Sequence, residues 1–389
     1  MKITGVRSHV LSCDMPETLG YSQQYYSKRN AHLVEVSTDE GLTGWGECFG
    51  PGDVATANAA IVEGVIAPLV MGMDPRDRDV CWHKVYNRLR DHGQKGMPIQ
   101  ALSGVDIALW DITGQAAGLS ISRLIGGRHR DRVGVYGYGM MLRPEPAGEL
   151  AARFEDEAAA IRDAGFRATK MKVGLGVRDD IRLAEAVRRG VGDGFDFMVD
   201  ANHAYDVNDA LEVGSALDEL CAYWFEEPVA PEDRDAYATL RRTLKTRIAG
   251  GEAEYTRWGW RDLLASGGLS IAQPEVCALG GISEYLRVLA LCHAHHVPVV
   301  NHVWGSAIAV ATNMQLLAAM PPLPGGLHPR EPWLEFDTTE NRFRDEMLTE
   351  ALDIQGQVAA NDGTVALPDR PGLGVVPDLD FLTRYRIDR

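Results

Sequence analysis

From Val133 onward, short apolar runs recur, and stretches of helical period separate them. The runs are VGVYGYGM, ATKMKVG, DFMVDAN, AYWFEEP, RIAGGEA, LSIAQPE, VPVVNHV and PWLEFD. Helical patterns between them include Pro146–Ala164, Arg178–Arg189, Val207–Leu217 and Ile282–Cys292. Such alternation predicts parallel strands joined by helical crossovers. About eight units over roughly 200 residues, with no Gly-x-Gly-x-x-Gly after the first run, favour a closed (β/α) barrel over an open dinucleotide-binding sheet.

The runs end in residues that a purely structural strand does not need. Lys170 and Lys172 close the second, Asp200 the third, Glu226-Glu227 the fourth, Glu252 the fifth, Glu275 the sixth and His302 the seventh. From Lys172 to His302 the successive steps are 28, 26, 26, 23 and 27 residues, each close to one βα unit. Residues at successive strand C-termini of a barrel converge on one mouth, where barrel enzymes hold their active sites.

The N-terminal part has a different rhythm. Lys2–Leu11, HLVEVST and LTGWGE read as strands, the last two joined through Asp39-Glu40-Gly41, a hairpin-type turn. The polar stretch Tyr21–Arg29 reads as an interrupting loop. Its Tyr21, Tyr25, Tyr26 and Arg29 are candidates to close over the mouth and contact substrate. Val54–Val70, Arg78–Arg90 and Pro98–Ala117 read as helices, the last stopping at Gly118. The expected organisation is an α+β capping domain over residues 1–126 and a barrel over 127–340. The turn-rich segment 341–389 is expected to return to the cap.

Asp200, Glu226 and Glu252 would form an all-oxygen arc across three adjacent strands. Three crowded carboxylates repel one another unless a hard divalent cation compensates. Ligation by oxygen alone favours Mg²⁺, with Mn²⁺ as a substitute. The competing explanation is that each acid caps the helix that follows. Lys170 and Lys172 share one face of a strand, because side chains alternate with period two. Two adjacent ammonium groups lower each other's pKa and a nearby divalent cation lowers it further, which suits one as a base and the other as a partner for a substrate carboxylate. Glu275 would fix the tautomer of His302 and sharpen its free nitrogen as a second base. A Schiff-base aldolase would also use a strand-end lysine, but it needs no trio of acids. A barrel that binds ligand without turnover is the non-enzymatic alternative.

The net charge of −16 disfavours nucleic acid and anionic membrane as partners. A small anionic carboxylate remains compatible, since a cation and local lysines reverse the field within one cleft. The six cysteines show no CxxC pair, and reduced thiols are expected. No apolar run approaches the ~20 residues needed to span a bilayer. The N-terminus alternates like a strand and lacks a signal-peptide pattern, so a cytoplasmic location is expected.

TKMK, MVDAN, WFEEP, GGE, QPE followed by GGIS, NHVWG and, nearer the N-terminus, ALWDI occur in an order that resembles the enolase superfamily, mandelate racemase subgroup. That resemblance implies a modified (β/α)8-type barrel, (β/α)7β, capped by an α+β domain built from the N-terminal region and the C-terminal tail. It also implies a Lys or His base, with Mg²⁺ stabilising an ene-diolate. By the same resemblance Asp200, Glu226 and Glu252 are the metal ligands, and Lys172 is one base with Lys170 beside it at the substrate carboxylate. The His302–Glu275 dyad is the other base, and Glu335 in PWLEFD hydrogen-bonds the ene-diolate. One departure stands out: the dyad partner is usually Asp, and Glu275 is longer by one methylene. The muconate-lactonising subgroup carries a lysine after the sixth strand, where this chain has Val276-Cys277-Ala278. YNRLRDHGQ, DANHAY, WFEEPVAPE and HVWG are similar to the branch that acts on aldaric acids and their lactones. This implies lactone opening by β-elimination, with dehydration or racemisation as alternatives. His203, in DANHAY, becomes a candidate for substrate hydroxyls, and a homo-oligomer is expected. His293, His295 and His296 read as a helix C-terminus.

Overall fold

The computed structural model describes residues 1–50, 52, 54–329 and 331–387. Its N-terminal cap opens with an antiparallel meander of β1 (Ile3–Tyr21), β2 (Gln24–Thr38) and β3 (Thr43–Cys48). The helices α1 (Val54–Ile61), α2 (Ala67–Val70), α3 (Arg78–Leu89), α4 (Met97–Ala117) and α5 (Ile121–Ile125) follow, with a π-helical turn at Val62–Ile66 between the first two. Helix α4 is buried from Ile99 to Ile112, because it lies between the cap sheet and the barrel. Its close approach requires Gly44 and Gly46 in β3, where a Cβ would collide with the carbonyls of Ala108 and Gly104.

The Tyr21–Arg29 stretch is not a loop. It continues β1 and β2 into one long hairpin, with Gly20 opposite Tyr25 and Tyr21 opposite Gln24. Polarity did not break the strands because one face stays in solvent, while Leu19 and Tyr26 pack on Tyr138, Met141 and Trp304.

The barrel strands are β4 (Arg132–Met140), β5 (Ala168–Lys172), β6 (Asp196–Asp200), β7 (Trp224–Glu226), β8 (Arg247–Gly250), β9 (Ile271–Ala272) and β10 (Trp333–Asp337). They pair in parallel in the order β10-β4-β5-β6-β7-β8-β9. Helices α6 (Ala147–Asp163), α7 (Val177–Val191), α8 (Val207–Glu219), α9 (Arg234–Thr243), α10 (Thr256–Ala265), α11 (Gly281–Ala294) and α12 (Ala307–Ala319) form the crossovers. The result is a (β/α)7β barrel under an α+β cap. The expected seventh strand, VPVVNHV, is shorter than its pattern suggests. It bridges to β9 only around Val299, through Ala272 N–H to Pro298 O (2.9 Å) and Val300 N–H to Ala272 O (3.0 Å). Pro298 lacks the N–H that would lengthen the ladder. Inside the barrel Tyr136, Ala168, Met198, Trp224, Ala249, Ile271 and Val300, one from each strand position but β10, make a packed floor beneath the mouth, and the partly buried Trp333 of β10 packs against it.

The tail carries α13 (Arg342–Asp345), α14 (Ile354–Ala360), β11 (Thr364–Ala366) and α15 (Leu379–Tyr385). β11 adds antiparallel to β4, and Ile387 N–H donates to Val10 O (2.9 Å) in the cap. Buried cap acids tie the layers together. Glu47 accepts from Ser306 N (2.9 Å), Ser306 Oγ (2.6 Å) and Ala309 N (2.9 Å), so it caps α12. Asp106 accepts from Ser283 N (2.8 Å) in the first turn of α11. Asp111 joins Trp45 N (3.0 Å) to Leu373 N (2.8 Å) of the tail. Carboxylates at helix N-termini satisfy orphan amides and favour the dipole. No helix among the described residues is long and apolar enough to cross a membrane.

Candidate active site

The phased residues converge at the C-terminal ends of the strands. Lys170 and Lys172 point inward from β5, Asp200 ends β6 and Glu226 ends β7. Glu252, Glu275 and His302 lie just beyond the following strands, and Glu335 is central in β10. All are buried except Glu252, whose side chain is 16% exposed and so remains reachable from the mouth. Asp200, Glu226 and Glu252 each offer an oxygen within 4.8 Å of the other two. Lys170 Nζ lies 2.7 Å from Glu226 and 2.5 Å from Glu335. Lys172 Nζ donates to Asp200 and to Asn202 Oδ1 (2.8 Å). His302 Nδ1 pairs with Glu275 Oε2 at 2.8 Å, so the longer side chain does reach the imidazole. That contact directs Nε2 toward the mouth, 3.3 Å from Glu252.

Electrostatics follow from this crowding. Burial works to lower both lysines, but Asp200 beside Lys172, and Glu226 with Glu335 beside Lys170, outweigh it and raise them. Lys170 does lower Lys172, as their shared face implies, but without a cation on the carboxylates Asp200 outweighs that effect. His302 follows the same pattern. Burial lowers it, while Glu252, Glu335 and Glu275 push it up to about 10. Burial raises Asp200, yet Lys172 and Lys170 hold it at about 2. Glu226 is pushed up to about 8, by burial first and then by Asp200. Glu227, with left-handed φ of 39°, is raised well above the carboxylate range by burial and by Glu252.

These features fit a divalent cation. The Glu252 Oε2 atom is buried without a hydrogen bond, and so is that of Glu227. Six acids (Asp200, Glu226, Glu227, Glu252, Glu275 and Glu335) face three basic groups, Lys170, Lys172 and His302. A hard cation among the three oxygen donors relieves that excess.

The cap residues divide. Tyr21 is half-buried and close enough to Lys172 and Glu252 to feel both charges. Tyr25 is instead 47% exposed, with its hydroxyl donating to Arg143 O (3.3 Å). Period-two alternation turns it away from the mouth. Arg29 is not a free cation for substrate. It is buried, ion-paired to Asp337 at 2.7 Å, and lies 4.7 Å over the Trp304 ring. Tyr26 meets the edge of Trp304 at 6.1 Å, with its hydroxyl buried and unpartnered. His203, at φ 69°, has Nδ1 3.3 Å from Glu227, and burial lowers its pKa. Sequence reasoning missed Asn202, the second partner of Lys172, and Phe49, whose ring lies 6.0 Å from that of His302. Asn202 falls two residues past a strand-end acid, and that register was the available signal. A cavity of about 980 Å³ between cap sheet and tail, lined by His9, Glu35, Trp45 and Asp111, contains none of the strand-end residues.

Residues 11–126 match the mandelate racemase / muconate lactonizing enzyme N-terminal domain, and residues 153–381 match the enolase C-terminal domain-like family. The chain belongs to the mandelate racemase / muconate lactonizing enzyme family. It is therefore an enzyme of the enolase superfamily. Over 387 residues, 100% of this chain and 99% of the relative, it is 42% identical to D-galactarolactone cycloisomerase of Agrobacterium fabrum. The crystal structure of 3,6-anhydro-D-galactonate cycloisomerase from Zobellia galactanivorans superposes with a TM-score of 0.87 at 32% identity, covering 100% of both chains. L-talarate/galactarate dehydratase from Salmonella typhimurium LT2, liganded with Mg and L-lyxarohydroxamate, gives 0.85 at 26% identity, covering 99% of this chain and 93% of that one.

Proposed function

We propose that this enzyme removes the proton α to a carboxylate of an acid sugar lactone and opens the ring by β-elimination. The observation that carries this reading is the pairing of two basic groups, Lys172 and the His302–Glu275 dyad, at one three-carboxylate centre. Its full-length similarity to D-galactarolactone cycloisomerase supports the substrate class. Asp200, Glu226 and Glu252 are the residues to hold Mg²⁺, or Mn²⁺ in its place. When bound, such an ion supplies Lewis-acid stabilisation of charge developing on the substrate carboxylate.

The chain's own residues do the rest. Lys170, held between Glu226 and Glu335, donates to the substrate carboxylate, and Glu335 faces the same oxygens. A cation held by Asp200, Glu226 and Glu252 would offset the charge that raises Lys172 and His302. The one left neutral takes the α-proton at Nζ or Nε2, with Asn202 and Glu275 holding these bases in line. The C–H electron pair passes into the ene-diolate and then expels the β-oxygen, which leaves as the ring's own carboxylate. The enol that remains tautomerises to a keto-deoxy diacid. Tyr21 and His203 line the approach and are positioned for substrate hydroxyls. Dehydration is the second reading, favoured by the likeness to L-talarate/galactarate dehydratase. Incubation with D-galactaro-1,4-lactone and Mg²⁺ is expected to give the keto-deoxy diacid by NMR. Consumption of galactarate but not lactone assigns the dehydratase; consumption of neither refutes both.

A further inference from the structure

The tip of the β1–β2 hairpin reaches across the mouth and touches both connections that flank Lys172. Ser22 Oγ donates to the main-chain oxygen of Asn202 (2.7 Å), and Gln23 Nε2 donates to the same oxygen (2.8 Å). On the other side, Gly174 lies two residues beyond Lys172 with φ of 132°. A Cβ there would fall 3.0 Å from Ser22 Cα, so only glycine lets the tip seat. Asn202 is itself in the left-handed region at φ 40°. A non-glycine residue holds that conformation when its surroundings over-determine it. Three contacts do so: its N–H donates to Asp200 Oδ1 (3.0 Å), its Oδ1 accepts from Lys172 Nζ (2.8 Å), and its carbonyl accepts from the tip. Asn202 is the neutral one of the two partners that Lys172 hydrogen-bonds, so it orients the amine in either protonation state.

Resting on the reading of Lys172 as a base, we propose that Ser22 and Gln23 are positioning residues. By latching the Asn202 carbonyl they set the side-chain oxygen that aims Lys172, so closure of the hairpin and alignment of the base are one event. The latch is separable from the hairpin's other anchors. Leu142 N–H donates to Gly20 O (2.9 Å), and Arg143 pairs with Glu17 (2.9 Å), both outside the Asn202 contact. Removing the two tip side chains therefore leaves the hairpin docked and frees only Asn202. Ser22 is half-buried and Gln23 exposed, so the S22A/Q23A double variant is expected to fold normally.

Two readouts test the latch. In amide hydrogen exchange without substrate, the segment 202–205 of S22A/Q23A should exchange faster by about fivefold or more, with the barrel helices unchanged. With Mg²⁺ in D₂O, α-deuteration is followed for D-galactonate and D-talonate, which are epimers at C2. The epimer whose α-hydrogen meets Lys172 is the one whose exchange is lost in Lys172→Ala. For that epimer S22A/Q23A should lower kcat by about tenfold, with KM moving less, since small misplacement of a catalytic group costs this much. The other epimer, served by His302, should change less than about twofold. Unchanged amide exchange overturns the proposal, and so does equal slowing of both epimers, which a simple lid would produce. If the wild-type enzyme exchanges neither aldonate, the lactone and aldarate reading is left to its own substrates, and amide exchange alone decides the latch.

Discussion

Replacing Glu47 by glutamine probes how the cap holds the catalytic end of the barrel. Glu47 is fully buried and accepts three hydrogen bonds from Ser306 and Ala309, at the start of α12. That start lies four residues beyond His302, and Phe49, two residues beyond Glu47, packs on the His302 ring. A glutamine offers one acceptor oxygen and turns an NH₂ toward donors. At least one buried N–H then loses its partner, at about 1–3 kcal/mol. Opposing this, burial pushes the Glu47 carboxyl up from the ordinary carboxylate range to about 7. A folded-state pKa above the unfolded one contributes stability that is full below the unfolded value and is lost as pH rises through the folded value. Between pH 5 and pH 8 the wild type should therefore lose about 2–3 kcal/mol from this group, a loss glutamine cannot share. Asp106, raised by burial to about 7, and Asp111, to about 6, titrate alike in both proteins and cancel in the comparison. The expected result, from urea denaturation of both proteins, is that Glu47→Gln is about 1–3 kcal/mol less stable at pH 5, with the gap closed or reversed at pH 8. A gap that widens toward pH 8 refutes the reasoning.

Magnesium should raise the melting temperature of the wild-type protein, since a ligand at 100 times its Kd adds about 2.7 kcal/mol. Glu252→Gln should lose most of that shift, and an undiminished shift would remove Glu252 from the ligand set. Glu275→Gln should cut kcat by about 10²–10⁴ while leaving magnesium binding intact, because His302 loses the anion that fixes its tautomer; near-normal turnover would show that the dyad is dispensable. Arg29→Met leaves Asp337 buried without its cation and should destabilise the protein by about 3–5 kcal/mol. If thermal unfolding is unchanged and only KM moves, Arg29 binds substrate after all.

Periodicity made the barrel legible. Lys172, Asp200, Glu226, Glu252, Glu275 and His302 each follow an apolar run at one βα interval, and a closed barrel leaves such residues a single mouth to share. The cap was harder to read at Tyr21–Arg29, because polar residues in a two-stranded extension carry no apolar alternation when one face is solvated. The seventh strand was overread: VPVV has the right composition, but Pro298 removes a ladder donor and the run settles for a bridge to Ala272. Glu47 and Asp106 gave no signal of their docking role, since pairing with Ser306 and Ser283 depends on distant parts of the chain meeting. Lys170 and Lys172 were placed correctly on one face, yet their charge state depended on how closely Asp200, Glu226 and Glu335 approach, which spacing along the chain does not encode. Arg29 shows the same limit: a loop cation in the sequence becomes a buried tie to Asp337 once the hairpin lies against β10.

The proposed function stands on removal of a proton next to a carboxylate at this centre. Proton NMR of the enzyme with Mg²⁺ in D₂O, against aldaric acids, aldonic acids and their lactones, tests it most directly. Deuterium is expected at the α-carbon, or in a keto-deoxy product, for at least one acid sugar, with both lost in the Lys172→Ala, His302→Ala double variant. Full metal occupancy with no exchange and no consumption across the whole panel would contradict it.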